Sequence, residues 1–342
     1  IVIFNNSIKV NLLIRVKSTK THVRWNNMDG PLKNLLVVDL TRVLVGPYCT
    51  MILSDLGARV IKVEAPEIGD DSRKFGPFIK DYSAYFMSLN RGKESIALNL
   101  KNDEDKKIFE KILSKADILV ENFKPGTLEK WGFGWKDVNK KYPKLIYASA
   151  SGFGQTGPLK ELPAYDMVVQ GMGGLMSVTG QPNSEPTRVG TSIGDITAGL
   201  FTAIGINAAL YDRQKTGKGM FIDVSMLDCQ IAILENAIAR YLSKNEIPKP
   251  MGSRHPSIAP FEAFKTKDSY IIIAAGNDKL FEKLCNLLQI PEVSKDPKFS
   301  DNSSRAKNMD ELKKILEEKL FSKKTSDWVS EMEKDKIPCG PI

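Results

Sequence analysis

Histidine is nearly absent from this chain, which has 342 residues and only two histidines, His22 and His255. A metal site built from several imidazoles cannot form, so we expect no metal centre, and a histidine-dependent triad would have to use His255. The four cysteines (Cys49, Cys229, Cys285, Cys339) are widely spaced and include no CxxC pair. This spacing argues against a disulfide scaffold and favours a reducing compartment. We expect the chemistry to use carboxylates or backbone dipoles.

A glycine-rich dinucleotide fingerprint is also lacking. The loop TRVLVGPYC, residues 41–49, follows the first apolar run but contains one glycine where that fingerprint has three. Pro47 in addition lacks the backbone N–H that could bind a pyrophosphate. These absences disfavour a nicotinamide-dependent dehydrogenase.

Acidic residues are missing from the first 27 positions, although these carry Lys9, Arg15, Lys17, Lys20 and Arg24. Such a leader (residues 1–27) is typical of a mitochondrial transit peptide, or it is upstream sequence outside the mature protein, because Met28 offers a natural start. We expect a cytoplasmic protein, or a mitochondrial-matrix protein if the leader is a transit peptide. Beyond the leader, basic and acidic residues alternate, which argues against nucleic-acid binding.

Long apolar runs of the roughly 18 residues that cross a bilayer are absent, so we expect no membrane association. Short apolar runs instead alternate with amphipathic segments. They predict strands at 35–39, 59–64, 117–121, 145–150 and 220–225, and helices at 47–56, 103–116 and 195–215. This alternation predicts an α/β fold with a doubly wound, mostly parallel sheet. We assign this large domain to residues 28–226.

Prolines and glycines crowd together between residues 243 and 260, which indicates a linker (227–256) before a smaller domain. The small domain, residues 257–342, should be α+β. Its pattern predicts a strand at 270–275 and helices near 278–288, 310–321 and 325–334. The chain then ends on Pro-Cys-Gly-Pro, which we interpret as a turn.

Asp195 is the carboxylate whose surroundings stand out. It follows Gly194, lies within a cluster of glycines and precedes the apolar run of a helix. One interpretation is an ordinary helix N-cap, since Asp is among the best capping residues. The other is a nucleophile, kept ionised by the helix dipole and assisted by neighbouring backbone N–H groups that would stabilise an oxyanion.

A series of motifs decides between these interpretations. In chain order they are LTRVLVGPYCTMILSDLGARVIKVEAP, SLNRGKESIALNLK, ADILVENFKPGTLEKWGFG, SGFGQTGP, YD, QGMGGLMSVTG, GDITAG and RQKTGKG. Together they resemble the class III CoA-transferases, a family that also includes α-methylacyl-CoA racemases, over about residues 30–342. The resemblance implies a Rossmann-like large domain and an interlocked homodimer. It also implies that a C-terminal return segment is missing from this chain.

The family resemblance implies a covalent role for Asp195. The family nucleophile lies in a G-D-x-x-x-G segment, which here is GDITAG. Its attack on an acyl-CoA gives a mixed anhydride, CoA returns to form an aspartyl-CoA thioester, and an acceptor acid takes up the CoA. The implied partners are an acyl-CoA, as a substrate rather than a tightly bound cofactor, and a small carboxylic acid.

The resemblance also implies where CoA binds. The matching positions lie in the first βα loop, in an LNLK strand, after the next strand, at one basic position and in the segment that lines the thioester. They are Val43, Leu44, Val45, Leu98, Asn99, Leu100, Lys101, Asn122, Phe123, Lys124, Lys130, Tyr165 and Asp166. The lysines are suitable partners for phosphates. Leu44 replaces a glutamine of some members, which disfavours formyl or oxalyl groups as substrates.

Tyr165 and one later loop bear on the type of reaction and on the choice of substrate. Racemase members carry a histidine where this chain has Tyr165, so racemisation, which needs an acid and a base on opposite faces, is the less favoured alternative. The loop GSRHPSIAPFEAF resembles members that use succinyl-CoA with glutarate-like acids. There Arg254 and His255 could bind a second carboxylate or could simply order the proline-rich linker. An inactive CoA-binding homologue is a third alternative.

Overall fold

Residues 30–342 are described by the structure, a computed structural model. The leader lies outside the described residues. Contacts divide the described chain into two units: residues 30–176 with 188–246, and residues 177–187 with 247–342.

The first unit is built on six parallel strands, in the spatial order β5-β2-β1-β6-β7-β8. A two-stranded hairpin, β3 and β4, accompanies this sheet. The strands are β1 Leu36–Asp39, β2 Arg59–Glu64, β3 Phe78–Ile79, β4 Tyr82–Ser83, β5 Glu94–Ala97, β6 Ile118–Glu121, β7 Ile146–Ser151 and β8 Phe221–Ser225. The predicted doubly wound α/β fold is thereby confirmed.

Helices connect these strands and cover both faces of the sheet. They are α1 Val45–Asp55, α2 Ala84–Asn90, α3 Asp103–Leu113, α4 Thr127–Trp131, α5 Trp135–Lys141, α6 Asp166–Met172, α7 Leu175–Val178, α8 Ile193–Thr216, α9 Met226–Ala232 and α10 Glu235–Lys244. A 3-10 turn spans Asp71–Lys74.

The strands of the sheet are apolar on both faces because each face is covered by helices. Val37 of β1 points toward a core that includes Leu53 of α1 and Ile206 of α8. Val38, the next residue, points to the opposite core with Phe109 of α3. This double burial explains why the strands were recognisable as short continuous apolar runs.

Helix α8 is, within residues 30–342, the one helix that is long and apolar enough to cross a membrane by length and composition. That test is weak evidence, because the core helix of a soluble protein passes it too. Ala198, Ala203 and Ile206 of α8 lie in the core of the first unit. Packing against the sheet therefore accounts for the apolar character of the helix.

The direction of winding reverses between β1 and β6, so the loops after these two strands flank a topological switch point. The two loops are joined by a reciprocal pair of hydrogen bonds. Arg42 N donates to Asn122 Oδ1 at 2.8 Å, and Asn122 Nδ2 donates to the Arg42 carbonyl at 2.8 Å. Open α/β sheets bind ligands at the carboxyl ends of their strands at such a point.

The second unit contains a three-stranded antiparallel sheet in the order β11-β10-β9, with β9 Phe261–Lys265, β10 Tyr270–Ala274 and β11 Cys339–Pro341. Its helices are α11 Asp278–Leu287, α12 Asn302–Lys307, α13 Met309–Leu320 and α14 Thr325–Lys334, and a 3-10 turn spans Val293–Lys295. Phe264, Ile273, Leu284, Leu316 and Met332 are among the side chains of its separate core.

Several local expectations were wrong. Pro-Cys-Gly-Pro is not a turn, because Cys339 pairs with Ile273 as part of β11. Helix α1 begins at Val45, so Pro47 is its third residue rather than its first. The LNLK segment follows β5 instead of forming a strand. There the Asn99 side chain accepts from the Lys101 N–H, and this short turn diverts the chain.

The division into units also differs from the predicted domains. Residues 227–246, expected to be a linker, form α9 and α10 of the first unit. Met226 and Cys229 pack in one core cluster with Val169 and Ala198, so this segment adds apolar contacts to the large unit. Residues 177–187 group with the second unit instead.

Candidate active site

Asp195 lies in the first turn of α8. The helix begins at Ile193 and its N-cap position is Ser192, so Asp195 is the third helical residue. The alternative interpretation, that Asp195 is an ordinary N-cap, is therefore wrong. The carboxylate lies at the amino-terminal end of the helix, where the helix dipole favours a negative charge.

The start of α8 is held by a second carboxylate, Asp166, at the beginning of α6. Gly194 N donates to Asp166 Oδ1 at 2.8 Å. A Cβ on residue 194 would lie 2.7 Å from Val169 Cγ2, so only glycine allows this approach between α6 and α8. Because the Gly194 N–H is already bonded to Asp166, it is not available as an oxyanion donor.

Gln170, which is fully buried, links Asp166 to the loop that precedes α8. Its Nε2 donates to Asp166 Oδ2 at 2.8 Å, and its Oε1 accepts from Val189 N at 2.9 Å. Sequence reasoning did not identify Gln170. Its signals were its place at the start of the motif QGMGGLMSVTG and its position one turn after Asp166 on the same helix.

Burial and the charge of Asp166 raise the pKa of Asp195 to about 7. Desolvation disfavours the ionised carboxylate, and the neighbouring negative charge adds to this effect. The sequence had suggested that the helix dipole keeps Asp195 ionised, whereas in the structure burial is the larger influence. Asp195 therefore changes charge near neutral pH, as expected for a carboxylate that reacts.

Tyr85 of α2 is a neighbour of the two carboxylates that sequence reasoning missed. Burial, together with the negative charges of Asp195, Asp70 and Asp166, raises the pKa of Tyr85 to about 12. The phenol therefore stays protonated and can donate a hydrogen bond. Its sequence signal was weak, because α2 is a short helix outside the motifs that point to Asp195.

Tyr165 occupies the N-cap position of α6, directly before Asp166. Its side chain is 78% exposed, whereas the Asp166 residue is only 8% exposed. The two adjacent residues thus differ in character: Asp166 is part of the buried support of α8, and Tyr165 is open to a ligand.

Ser192 belongs to the segment GTSIG, residues 190–194, which has the spacing of a serine nucleophile elbow. The elbow requires a strand that leads directly into the serine. No strand leads directly into Ser192, because residues 179–192 form a loop between α7 and α8. The segment is therefore the entry to α8 rather than a serine-hydrolase site.

The loop after β1 contains three predicted CoA contacts. Val43 has a φ angle of 66°, while Leu44 and Val45 are buried. Across the switch point, Asn122 bonds to this loop, and Phe123 packs edge-on against Trp131 with ring centroids 5.4 Å apart. The structure thus brings these two predicted segments together.

The predicted LNLK contacts separate into two groups. Leu98 and Leu100 are buried in the core beside Phe109, so their side chains are engaged in packing. Asn99 and Lys101 are exposed. Contact with CoA at this segment would therefore use Asn99, Lys101 and the backbone.

Lys124 and Lys130 are both exposed. Lys124 forms an ion pair with Glu161 at 3.5 Å, and both side chains are more than half exposed. Such a pair is weak in water, so Lys124 can exchange its partner for a phosphate at little cost. Lys130 is in the last turn of α4.

Arg254 and His255 belong to the second unit. The Arg254 guanidinium pairs with Glu262 at 3.0 Å and with Asp310 at 2.7 Å. His255 stacks on Phe261 with ring centroids 5.3 Å apart, and its Nδ1 accepts from Ser257 N. These contacts order residues 254–262, and a role in binding a substrate carboxylate remains a prediction.

Comparisons with known proteins agree with the family that the sequence motifs resemble. A family model described as CoA-transferase family III matches residues 32–342. The chain belongs to CoA-transferase family III. The relatives reported below are named as CoA-transferases, and the protein is accordingly a CoA-transferase whose substrates are CoA thioesters.

Named relatives in the family share much of the sequence. The acetyl-CoA:oxalate CoA-transferase of Acetobacter aceti is 49% identical over 314 residues, which cover 92% of this chain and 81% of that protein. The succinyl-CoA:glutarate CoA-transferase of Homo sapiens is 44% identical over 318 residues, covering 93% and 72%. A CaiB/BaiF family protein from Brucella suis has a similar structure, with a TM-score of 0.82, 43% identity and coverage of 92% and 84%.

Proposed function

We propose that this family III CoA-transferase moves CoA from a dicarboxylic acyl-CoA, such as succinyl-CoA, to a carboxylic acid, with Asp195 as the covalent carrier. One observation supports this role above the others. The Asp195 carboxylate lies partly buried in the first turn of α8, where burial and Asp166 raise its pKa to about 7. A desolvated carboxylate is a stronger nucleophile than one in water.

The proposed reaction conserves charge and needs no external proton. An Asp195 carboxylate oxygen attacks the thioester carbon, the C–S bond breaks and CoA leaves as a thiolate. The thiolate attacks the Asp195 carbonyl of the mixed anhydride and releases the donor acid, which leaves an aspartyl-CoA thioester. The acceptor carboxylate then repeats the sequence in reverse. Each step exchanges one activated carboxyl for another, so catalysis lowers barriers with little change in equilibrium.

Residues around Asp195 support this reaction by holding it in place. Asp166 bonds to the Gly194 N–H and so fixes the turn that carries Asp195. Tyr85 stays protonated, and we propose that it donates a hydrogen bond to oxygens that become negative during attack. The exposed side chain of Tyr165 is available to line the thioester.

The CoA body is proposed to bind at the switch point between β1 and β6. There the loop after β1 and the loop after β6 are joined by the Arg42–Asn122 hydrogen bonds, at the carboxyl ends of the strands where open α/β sheets bind ligands. The exposed Lys101, Lys124 and Lys130 are suited to the phosphates.

The acids are proposed to be dicarboxylic. The names of the two relatives include oxalate and glutarate, and both are dicarboxylates. A role of Arg254 in binding a carboxylate stays a proposal from the sequence, since its guanidinium pairs with two carboxylates of its own unit, Glu262 and the exposed Asp310. Leu44, which is buried, disfavours formyl or oxalyl groups, so of the two named acids the longer glutarate is the one that we propose.

We also propose that the protein acts as a homodimer. Helix α8 buries one side in the core but exposes Leu200, Ile204 and Tyr211 on the other. A family III partner chain that covers these residues would remove a large apolar area from water.

An assay of succinyl-CoA with a panel of acids tests this function. Transfer to glutarate or another dicarboxylate is expected, with no exchange of the α-proton when one 2-methylacyl-CoA epimer is incubated in deuterated water. Tyr165 replaces the histidine that racemisation requires. Exchange of the α-proton at an enzymatic rate, without transfer of CoA to any acid, would instead indicate racemase activity.

A further inference from the structure

Val43, in the loop after β1, has an unusual backbone conformation. Its φ angle of 66° lies in the left-handed region, which β-branched residues rarely adopt. Such a conformation persists only where surrounding contacts enforce it. The loop must therefore contain an interaction that holds Val43 in place.

Asp70 provides this interaction. Val43 N donates to Asp70 Oδ1 at 3.1 Å, and the same oxygen accepts from Ser72 N and Ser72 Oγ. The other Asp70 oxygen faces Lys62 Nζ at 2.9 Å, and both side chains are almost fully buried. The pair lowers the pKa of Asp70, although burial opposes this effect.

Lys62 extends the link to the preceding turn of the loop. Its Nζ donates to the Thr41 carbonyl at 2.7 Å. Thr41 N is held on the other side by Asp39 Oδ1 at 2.9 Å, and Asp39 pairs with Lys93 at 3.0 Å. Lys93 Nζ also donates to the Pro47 carbonyl at 3.1 Å. Two buried Lys–Asp pairs thus hold the chain before and after the residues proposed to contact CoA.

We propose that Lys62 and Asp70 are positioning residues for acyl-CoA. The ion pair keeps Val43 in the left-handed conformation, and this conformation sets the shape of the loop that receives the CoA chain. The inference rests on the proposed CoA site at the switch point. A buried ion pair contributes little net stability compared with apolar residues, so its value here is the geometry that it imposes.

The test uses Asp70→Ala, which removes the acceptor of the Val43 N–H, and the double variant Lys62→Met with Asp70→Leu, which also removes this acceptor but leaves no unpaired buried charge. The Kd for CoA and the KM for acyl-CoA should rise about tenfold, while kcat and the KM for the acid change less than about twofold. Asp117→Asn is the control. It breaks the Arg213–Asp117 pair at the amino end of the sheet and should leave the Kd for CoA unchanged.

A rescue separates positioning from general destabilisation. Adding Val43→Gly to Asp70→Ala should bring the Kd for CoA to within about threefold of that of Val43→Gly alone, because glycine adopts positive φ without support. An unchanged Kd for CoA in the folded Asp70 variants would overturn the inference, as would a Kd that Val43→Gly fails to improve. If the wild type binds CoA but transfers it to no acid, the proposed function fails, while the Kd values still decide this inference.

Discussion

Replacing Asp195 with asparagine is expected to lower the transferase turnover on the order of a thousandfold or more. Asparagine preserves the size of the side chain but has no carboxylate to form the anhydride. The measurement is kcat with succinyl-CoA and an accepted acid, normalised to folded protein. Asp103→Asn is a matched control, because Asp103 is also a first-turn aspartate but is exposed and belongs to α3. It should retain full turnover.

Asp195→Asn should raise the thermal stability at pH 8 even though it lowers the activity. The pKa of Asp195 is raised in the folded state, so its contribution to stability is fully present below its unfolded pKa of about 4 and is lost as pH rises through about 7. An uncharged asparagine avoids that loss. The variant should therefore melt at a higher temperature than the wild type at pH 8 and at a similar temperature at pH 4. A lower Tm at pH 8 would show that ionised Asp195 stabilises the fold.

A steep pH dependence is the second large effect that we expect. Only ionised Asp195 attacks, and its pKa is raised to about 7, so kcat/KM should increase about tenfold per pH unit below 7 and level off above it. Asp166→Asn removes the neighbouring negative charge and should shift the midpoint to lower pH. A profile that is flat between pH 5.5 and 8, or an Asp166→Asn midpoint that does not move, would contradict this assignment.

The sheet was predictable because its strands are buried on both faces. Strand β2 was predicted with its observed bounds, 59–64, since a short apolar run between a glycine turn and a loop has few alternatives. The long helix α8 was recognisable because it packs against the sheet and is therefore apolar in character. Short elements such as α2 and α9 were missed because a helix of seven residues shows too little periodicity.

The site was predictable only in part. The motif around Gly194 and Asp195 located the carboxylate, but the partners that determine its properties come from distant parts of the chain. Asp166, Tyr85 and Gln170 approach α8 through tertiary packing, and no sequence spacing shows that Asp166 raises the pKa of Asp195. The hydrogen bond from Val43 N to Asp70 is also non-local, because it forms only when the loop after β2 folds back onto the loop after β1.

The most direct test of the covalent role is mass spectrometry of the protein after brief incubation with succinyl-CoA and rapid quenching in acid. The account predicts an added mass equal to CoA linked as a thioester, located on the peptide that contains Asp195 and removed by hydroxylamine. The same adduct should be absent from Asp195→Asn. An active enzyme with no adduct at any time point, or an adduct on another residue that persists in Asp195→Asn, would contradict the central claim.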